Sequence, residues 1–291
     1  MTQASATGSR RSFAFRIVNV FTRAGRLTGN PLCVFEDGRE LSDAEMQALA
    51  RQFNLSETTF ILPSTRATSR VRIFTPAYEM PFAGHPTLGT AHVVRSLLEG
   101  EVNDVTLEMK AGIIPVASQG NRWTLSANAA RWREVAESRG ELADILGLRA
   151  GDIAERPLWV NAGKEQLVVP VASAEAVARA RPRSDAFSRL KSEDGQSMAY
   201  VFADAGDAEA RVEARFFFPS GAAILEDPAT GSACANLGGW FIATRPRRDI
   251  TRVISQGEAV ARPSTLHLAV RDGAILVGGD VIELARGRVE L

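Results

Sequence analysis

The residues Arg72-Ile73-Phe74-Thr75-Pro76 return 143 positions later (215 − 72) as Arg215-Phe216-Phe217-Phe218-Pro219. At the same offset Thr87 meets Thr230 and Leu125 meets Leu268, and one position short of it (160 − 18) Val18-Asn19 meets Val160-Asn161. A common spacing over four regions of a 291-residue chain points to a duplicated architecture. Whatever one half folds into, the other must be able to repeat.

Both halves follow one plan of apolar runs and punctuation. An opening strand (14–20; 157–161) leads to a second (31–36; 165–171) and a helix (42–52; 173–181). Further strands follow (58–62 and 70–75; 197–203 and 212–218), then an acidic loop containing Pro and Gly, then a long apolar helix (86–98; 230–243). β-rich segments close each half (104–108, 113–118 and 122–126; 250–255, 258–261 and 265–270). The runs VRIF and RFFF alternate too little to face water, and helix 86–98 is apolar almost all round. A central helix wrapped by a curved sheet satisfies both, so the expected class is α+β, with two pseudo-symmetric β-barrel-like halves.

The domain reading is then a loose N-terminal tail (1–12), a first half (13–128), a charged connector (129–155) with a helical run Glu141–Leu148, and a second half (156–278). Residues 279–291 form a C-terminal strand that can return to either half.

Composition narrows the function classes. Lys plus Arg equals Asp plus Glu at 34 each, which removes the electrostatic case for nucleic acid or an anionic membrane surface. The basic cluster Arg245-Pro246-Arg247-Arg248 reads as a solvated turn. No apolar run approaches the ~20 residues that cross a bilayer, and no hydrophobic segment follows the N-terminal Arg pair to make a secretory signal. Two cysteines, Cys33 and Cys234, lie far apart without metal-ligand spacing. A disulfide framework and a zinc site are disfavoured, and a cytoplasmic location fits.

Chemistry concentrates where each half turns into its long helix. One junction reads Met80-Pro81-Phe82-Ala83-Gly84-His85-Pro86-Thr87, the other Glu226-Asp227-Pro228-Ala229-Thr230-Gly231-Ser232. If a pseudo-twofold axis relates the halves, two helix N-termini converge on one cleft and can hold a carboxylate without a basic side chain. His85, in the loop, can donate to such a ligand or move a proton, whereas His92 and His267 read as structural. Asp227 is placed to cap the second helix or to act on a ligand, with Glu226 beside it facing water. Thr230 and Ser232 can equally cap or bind. Glu57, between a helix end and the apolar strand Thr58–Leu62, is either an exposed strand-edge charge or a desolvated carboxyl of raised pKa.

Four stretches together resemble the PhzF-like family, the phenazine-biosynthesis isomerases and their relatives. They are Gly29-Asn30-Pro31-Leu32-Cys33-Val34-Phe35, Asn54-Leu55-Ser56-Glu57-Thr58, Phe74-Thr75-Pro76 through Pro81-Phe82-Ala83-Gly84-His85-Pro86-Thr87, and Glu226-Asp227-Pro228-Ala229-Thr230-Gly231-Ser232-Ala233. Gln256-Gly257 through Arg262-Pro263-Ser264 also fits. The resemblance implies the diaminopimelate-epimerase-like fold, with the site between its halves, and a homodimer. It implies catalytic roles for Glu57, His85 and Asp227, and substrate binding by Ser56, Gly84, Gly231 and Ser232. In the phenazine enzyme the glutamate matching Glu57 moves a proton between two carbons of trans-2,3-dihydro-3-hydroxyanthranilate.

The expected activity is a cofactor-independent isomerase acting on a small carboxylic acid, with no metal. Glu57 would remove an activated C–H proton and, helped by Asp227 or His85, return it. One rival is an amino-acid epimerase working through Cys234. Against it, the first junction has no cysteine and Cys234 falls inside the helix, so no thiol pair is available. The other rival is a non-catalytic ligand-binding protein that keeps the cleft.

Overall fold

The structure is a computed structural model that describes residues 10–99, 102–245 and 249–291. Residues 1–9 of the expected tail and Pro246, Arg247 and Arg248 of the basic cluster therefore lie outside the described residues. Arg11 and Ser12 do not belong to a tail: β1 (Ser12–Val20) starts there, and Arg11 exchanges backbone hydrogen bonds with Leu291.

In the first half β1 pairs with β2 (Asn30–Phe35), which lies parallel to β3 (Thr58–Leu62). Then come β4 (Ser69–Phe74) and the short β5 (Glu79–Met80), folded back on β4. β6 (Val105–Met109) runs parallel to β4, followed by β7 (Gly112–Gln119) and β8 (Arg122–Ser126). The second half repeats this order. β9 (Arg131–Glu134) pairs with β10 (Leu158–Asn161), then β11 (Glu165–Pro170) lies parallel to β12 (Ala199–Asp204). β13 (Arg211–Ser220) carries β14 (Ala223–Asp227) and is followed by β15 (Ile250–Gln256) and β16 (Ser264–Arg271).

The 17-residue β17 (Ala274–Glu290) joins the two sheets. It pairs with β16 and β8 near its start and with β1 along its end, closing the first ring of strands. Leu125 lies opposite Val277 where β8 meets β17, and each also faces its own preceding strand, at Val116 and Leu268 respectively. The same position of both halves meets itself there, which is where a pseudo-twofold axis must pass.

Each ring holds one helix of 14 residues, α2 (Gly84–Leu97) in the first and α5 (Gly231–Thr244) in the second. Their apolar side chains, among them Leu88, Val93, Leu237 and Trp240, sit in one continuous core spanning both halves. Outside the rings lie α1 (Asp43–Phe53), α3 (Arg139–Leu146) and α4 (Ala174–Arg179). α1 and α3 start in capping boxes, Ser42 with Glu45 and Ser138 with Glu141, which satisfy the first free N–H groups.

The repeat is real, but its spacing drifts. Ile73 opposite Met80 corresponds to Phe216 opposite Asp227, so the offset grows from 143 (216 − 73) to 147 (227 − 80) across one hairpin. The matches Thr87–Thr230 and Leu125–Leu268 are therefore out of register: α2 and α5 align as Gly84 with Gly231, and Leu125 aligns with Val277. Two local expectations also change. The acidic loops are partly strand, β5 and β14, and the segment 258–261 is a single 3₁₀ turn, Glu258–Val260, bracketed by left-handed Gly257 and Ala261.

Candidate active site

The β4–β5 and β13–β14 hairpins deliver the chain to the two helix starts. Each is clamped by an arginine: Arg72 bonds Glu79 at 2.8 Å through both Nε and Nη2, and Arg215 bonds Glu226 at 2.6 Å through Nη2. Each guanidinium also lies over a ring of its own strand, Phe74 or Phe217, 5.0 and 4.8 Å from the centroid. Glu226 thus does not face water; only 7% of its side chain is exposed, against Arg215.

Past the hairpins, neither Ala83 nor Thr230, the residues at the N-caps, makes a side-chain bond to its helix. The first-turn N–H groups of α2 and α5 are left for other acceptors. The two starts abut. A Cβ on Gly231 would stand 3.7 Å from both the Gly84 Cα and the His85 nitrogen. A larger residue at either glycine would narrow the space between the helix ends.

Glu57 stands at the mouth of β3 and presents its carboxyl to this junction. Its Oε2 lies 3.4 Å from His85 Nδ1. Asp227, at the end of β14, does not cap α5; its carboxylate accepts from Thr230 Oγ1 and, at 3.1 Å, from Asn30 Nδ2. Gln256 Nε2 donates to Thr230 Oγ1 at 3.0 Å and to the Asp227 carbonyl at 2.9 Å. Six side-chain polar atoms among the described residues are enclosed without a hydrogen-bond partner, and four of them belong to this group: Glu57 Oε2, His85 Nε2, Asn30 Oδ1 and Gln256 Oε1. Each such atom costs about 1–3 kcal/mol, so their clustering marks where a ligand would repay them.

Burial pushes the Glu57 carboxyl up to about 8, and the Asp227 charge adds to the shift. Burial also raises Asp227, to about 6, while the bonds from Thr230 and Asn30 pull it back. His85 is driven down to about 4 by burial, against a contact with the Pro31 backbone, which has only a carbonyl to offer. At neutral pH the ligand-free site therefore holds an ionised Asp227, a neutral His85 and a mostly protonated Glu57. Two neighbouring carboxyls whose environments separate their pKa values have the chemistry to serve as acid and base.

The structure brings together Glu57, Gly84, His85, Asp227 and Gly231. Ser232, the second residue of α5, accepts a 2.9 Å hydrogen bond from Gln166 Nε2. Ser56 is exposed in the loop before Glu57 and stands outside the buried cluster. Asn30, Gln166, Asn236 and Gln256 were not singled out as site residues by the sequence reading. Asn30 and Gln256 did stand in stretches carrying the family resemblance. Cys33 and Cys234 are buried free thiols whose pKa values burial drives well up, the wrong condition for a thiolate base. His92 accepts from Trp123 Nε1 at 3.3 Å, a structural role. Among the described residues no helix is long and apolar enough to cross a membrane.

Two helix-filled β-rings that meet at their helix starts define a diaminopimelate-epimerase-like fold, of mixed α+β class. Residues 18–287 match the family of phenazine biosynthesis-like proteins, PhzC-PhzF, and the chain belongs to it. It is similar to an uncharacterized isomerase of Pasteurella multocida, 34% identical over 95% of this chain and 94% of that protein. It is also similar to the trans-2,3-dihydro-3-hydroxyanthranilate isomerase of Pseudomonas aeruginosa, 33% identical over 91% of this chain and 95% of that one. The crystal structure of a Bacillus anthracis PhzF-family protein superposes with a TM-score of 0.86 at 26% identity, covering 96% of this chain and 99% of that one. The chain is accordingly an isomerase of the PhzF type.

Proposed function

We propose that the protein moves a proton within a small carboxylic acid of the trans-2,3-dihydro-3-hydroxyanthranilate kind, without a cofactor, and that Glu57 carries it. The supporting observation is the cluster of enclosed, unpartnered polar atoms around Glu57, between two helix N-termini. The helix ends and Ser232 receive the substrate carboxylate, and the neutral His85 orients it. Ionised Glu57 takes the C–H proton, leaving an enolate-like charge spread over the conjugated system. The resulting carboxylic acid gives the proton back to another carbon on the same face. A carboxylate whose conjugate acid titrates near 8 is a stronger base than an ordinary glutamate, as carbon-acid chemistry requires. Asp227, fixed by Thr230 and Asn30, holds the charge that keeps Glu57 basic. From the family resemblance we propose a homodimer, which sedimentation would check, and from the two unpaired cysteines a cytoplasmic location, which fractionation would check.

The test uses trans-2,3-dihydro-3-hydroxyanthranilate in deuterated water. The wild type is expected to isomerise it with deuterium uptake, and Glu57→Gln to lose about 10²–10⁴ in rate. Uptake at the wild-type rate in Glu57→Gln would sink the proposal.

A further inference from the structure

Behind Ser232 runs a buried chain of amides whose polarity is fixed from its far end. The Ala162 N–H donates to Asn236 Oδ1 at 2.8 Å, so that oxygen is the acceptor. Asn236 Nδ2 must then face the acceptors, and it donates at 2.8 Å to both the Lys164 carbonyl and Gln166 Oε1. With its oxygen so occupied, Gln166 turns its Nε2 to Ser232 Oγ. A hydroxyl that accepts from an amide N–H cannot return its own hydrogen to it. The Ser232 hydrogen is left to point elsewhere. Both amides are enclosed, Gln166 at 2% and Asn236 at 0% exposure, and no solvent competes for their orientation.

The first half shows that the fold does not need this chain. Leu32 lies opposite Val18 as Gln166 lies opposite Val160, and Gly89 is the sixth residue of α2 as Asn236 is of α5. There the position is filled by apolar contact: a Cβ on Gly89 would come within 2.6 Å of Leu32 Cδ2. Replacing a leucine–glycine contact by two buried amides brings a desolvation cost that packing does not explain.

We infer that Asn236 and Gln166 are positioning residues that turn the Ser232 hydrogen towards the ligand, making the start of α5 a subsite for an acceptor oxygen, which a carboxylate fills best. The inference rests on the reading that the substrate carboxylate meets Ser232. An ammonium, which has no lone pair, cannot take the Ser232 hydrogen, whereas an oxygen with a free lone pair can.

The kinetic test again uses trans-2,3-dihydro-3-hydroxyanthranilate. Gln166→Leu, which copies the first half, is expected to raise KM about 10-fold with kcat little changed. In a Ser232→Ala background the same change should add nothing to KM. Gln166→Glu supplies a signature that a packing role lacks. As a neutral acid it can donate to Ser232, and as a carboxylate it can only accept. Its KM, divided by the wild-type KM at the same pH, should therefore climb as pH rises. A ratio flat in pH, or additive KM losses in the Ser232→Ala background, overturns the inference. Should the variants fail to fold, a neutron structure of the perdeuterated wild type decides. Deuterons on Gln166 Nε2 towards Ser232 Oγ support the relay, and a Ser232 deuteron directed at Gln166 refutes it. If the wild type does not turn over the compound, the proposed function fails, and the neutron map alone judges the relay.

Discussion

The two halves share a frame and differ in almost every group that faces the junction. Arg72–Glu79 over Phe74 and Arg215–Glu226 over Phe217 are one device used twice. At the junction the symmetry ends. Thr58 lies opposite Phe74 as Ala199 lies opposite Phe217, so the residues just before them, Glu57 and Met198, occupy matching places. Met80 and Asp227 match likewise, as do His85 and Ser232. Each half thus contributes one carboxyl where its twin has methionine, and the carboxyls come from non-equivalent positions. Duplication supplied the geometry and divergence the chemistry. A site built this way has two unlike faces, suited to moving one proton along one face rather than passing it between two equal bases.

Removing the carboxyl of the second half should have the largest effect after loss of Glu57 itself. With Glu57 required as a base, kcat/KM should rise with pH along a limb near 8, where that carboxyl ionises. Asp227→Asn removes the charge that helps hold Glu57 up but leaves the burial that is the main cause. Activity should fall about 10- to 100-fold at neutral pH. The limb should move below 8 while staying above the ordinary 4.5. An unmoved limb would show that the carboxyls do not communicate and that the unlike faces act independently.

The shared frame can be tested in the other direction. Arg215 and Glu226 are the more enclosed pair, at 9% and 7% side-chain exposure, whereas Glu79 keeps a second partner in Lys110. Arg215→Ala strands a buried carboxylate and should cost about 3 kcal/mol in urea unfolding. Arg72→Ala, with Lys110 still present, should cost about 1–2 kcal/mol. Equal losses would mean that the two clamps are equivalent in energy as well as form.

How much of this could be read from the chain follows from where each residue sits. Strand registers preserve spacing, so the offsets of 143 and 142 located matching strands correctly. Connections tolerate insertion. Arg72 and Glu79 are seven residues apart, but Arg215 and Glu226 are eleven, so the residue matches Thr87–Thr230 and Leu125–Leu268 slipped while the helix pair beyond the hairpin still matched. Glu57, His85 and Asp227 stand out as candidates because each interrupts an apolar or small-residue stretch, but their roles come from the family resemblance and not from the residues alone. Gln166 and Asn236 do not stand out. They sit inside a strand and a helix 70 residues apart, and only the fold brings their side chains together. Glu226 was misread for the same reason, its partner Arg215 lying on the neighbouring strand.

A smaller effect should appear in stability. Glu57 keeps its proton in the folded protein up to about 8, whereas the unfolded chain releases it near 4.5. Between those values the unfolded state binds fewer protons, so this group's contribution to stability is present below 4.5 and is lost as pH rises towards 8. Glu57→Gln cannot ionise and escapes that loss. The variant should melt slightly higher than wild type at pH 8, by about 2–6 °C, with the gain shrinking towards pH 5. A constant gain at all pH values would locate the benefit in packing instead of in the titration.

The smallest effect belongs to the thiol. In the duplicated frame Cys234 aligns with Thr87, the fourth residue of its helix, and not with the first-turn positions of His85 and Ser232. It is fully enclosed, and burial holds it protonated. A thiol so placed neither reaches the junction nor offers a thiolate. Cys234→Ala should change kcat/KM less than about 2-fold while costing about 1 kcal/mol of stability from the lost sulfur contacts. If that variant instead lost proton exchange while remaining folded, the base would belong to the second half. The division of labour between Glu57 and Asp227 would then have to be redrawn around a cysteine.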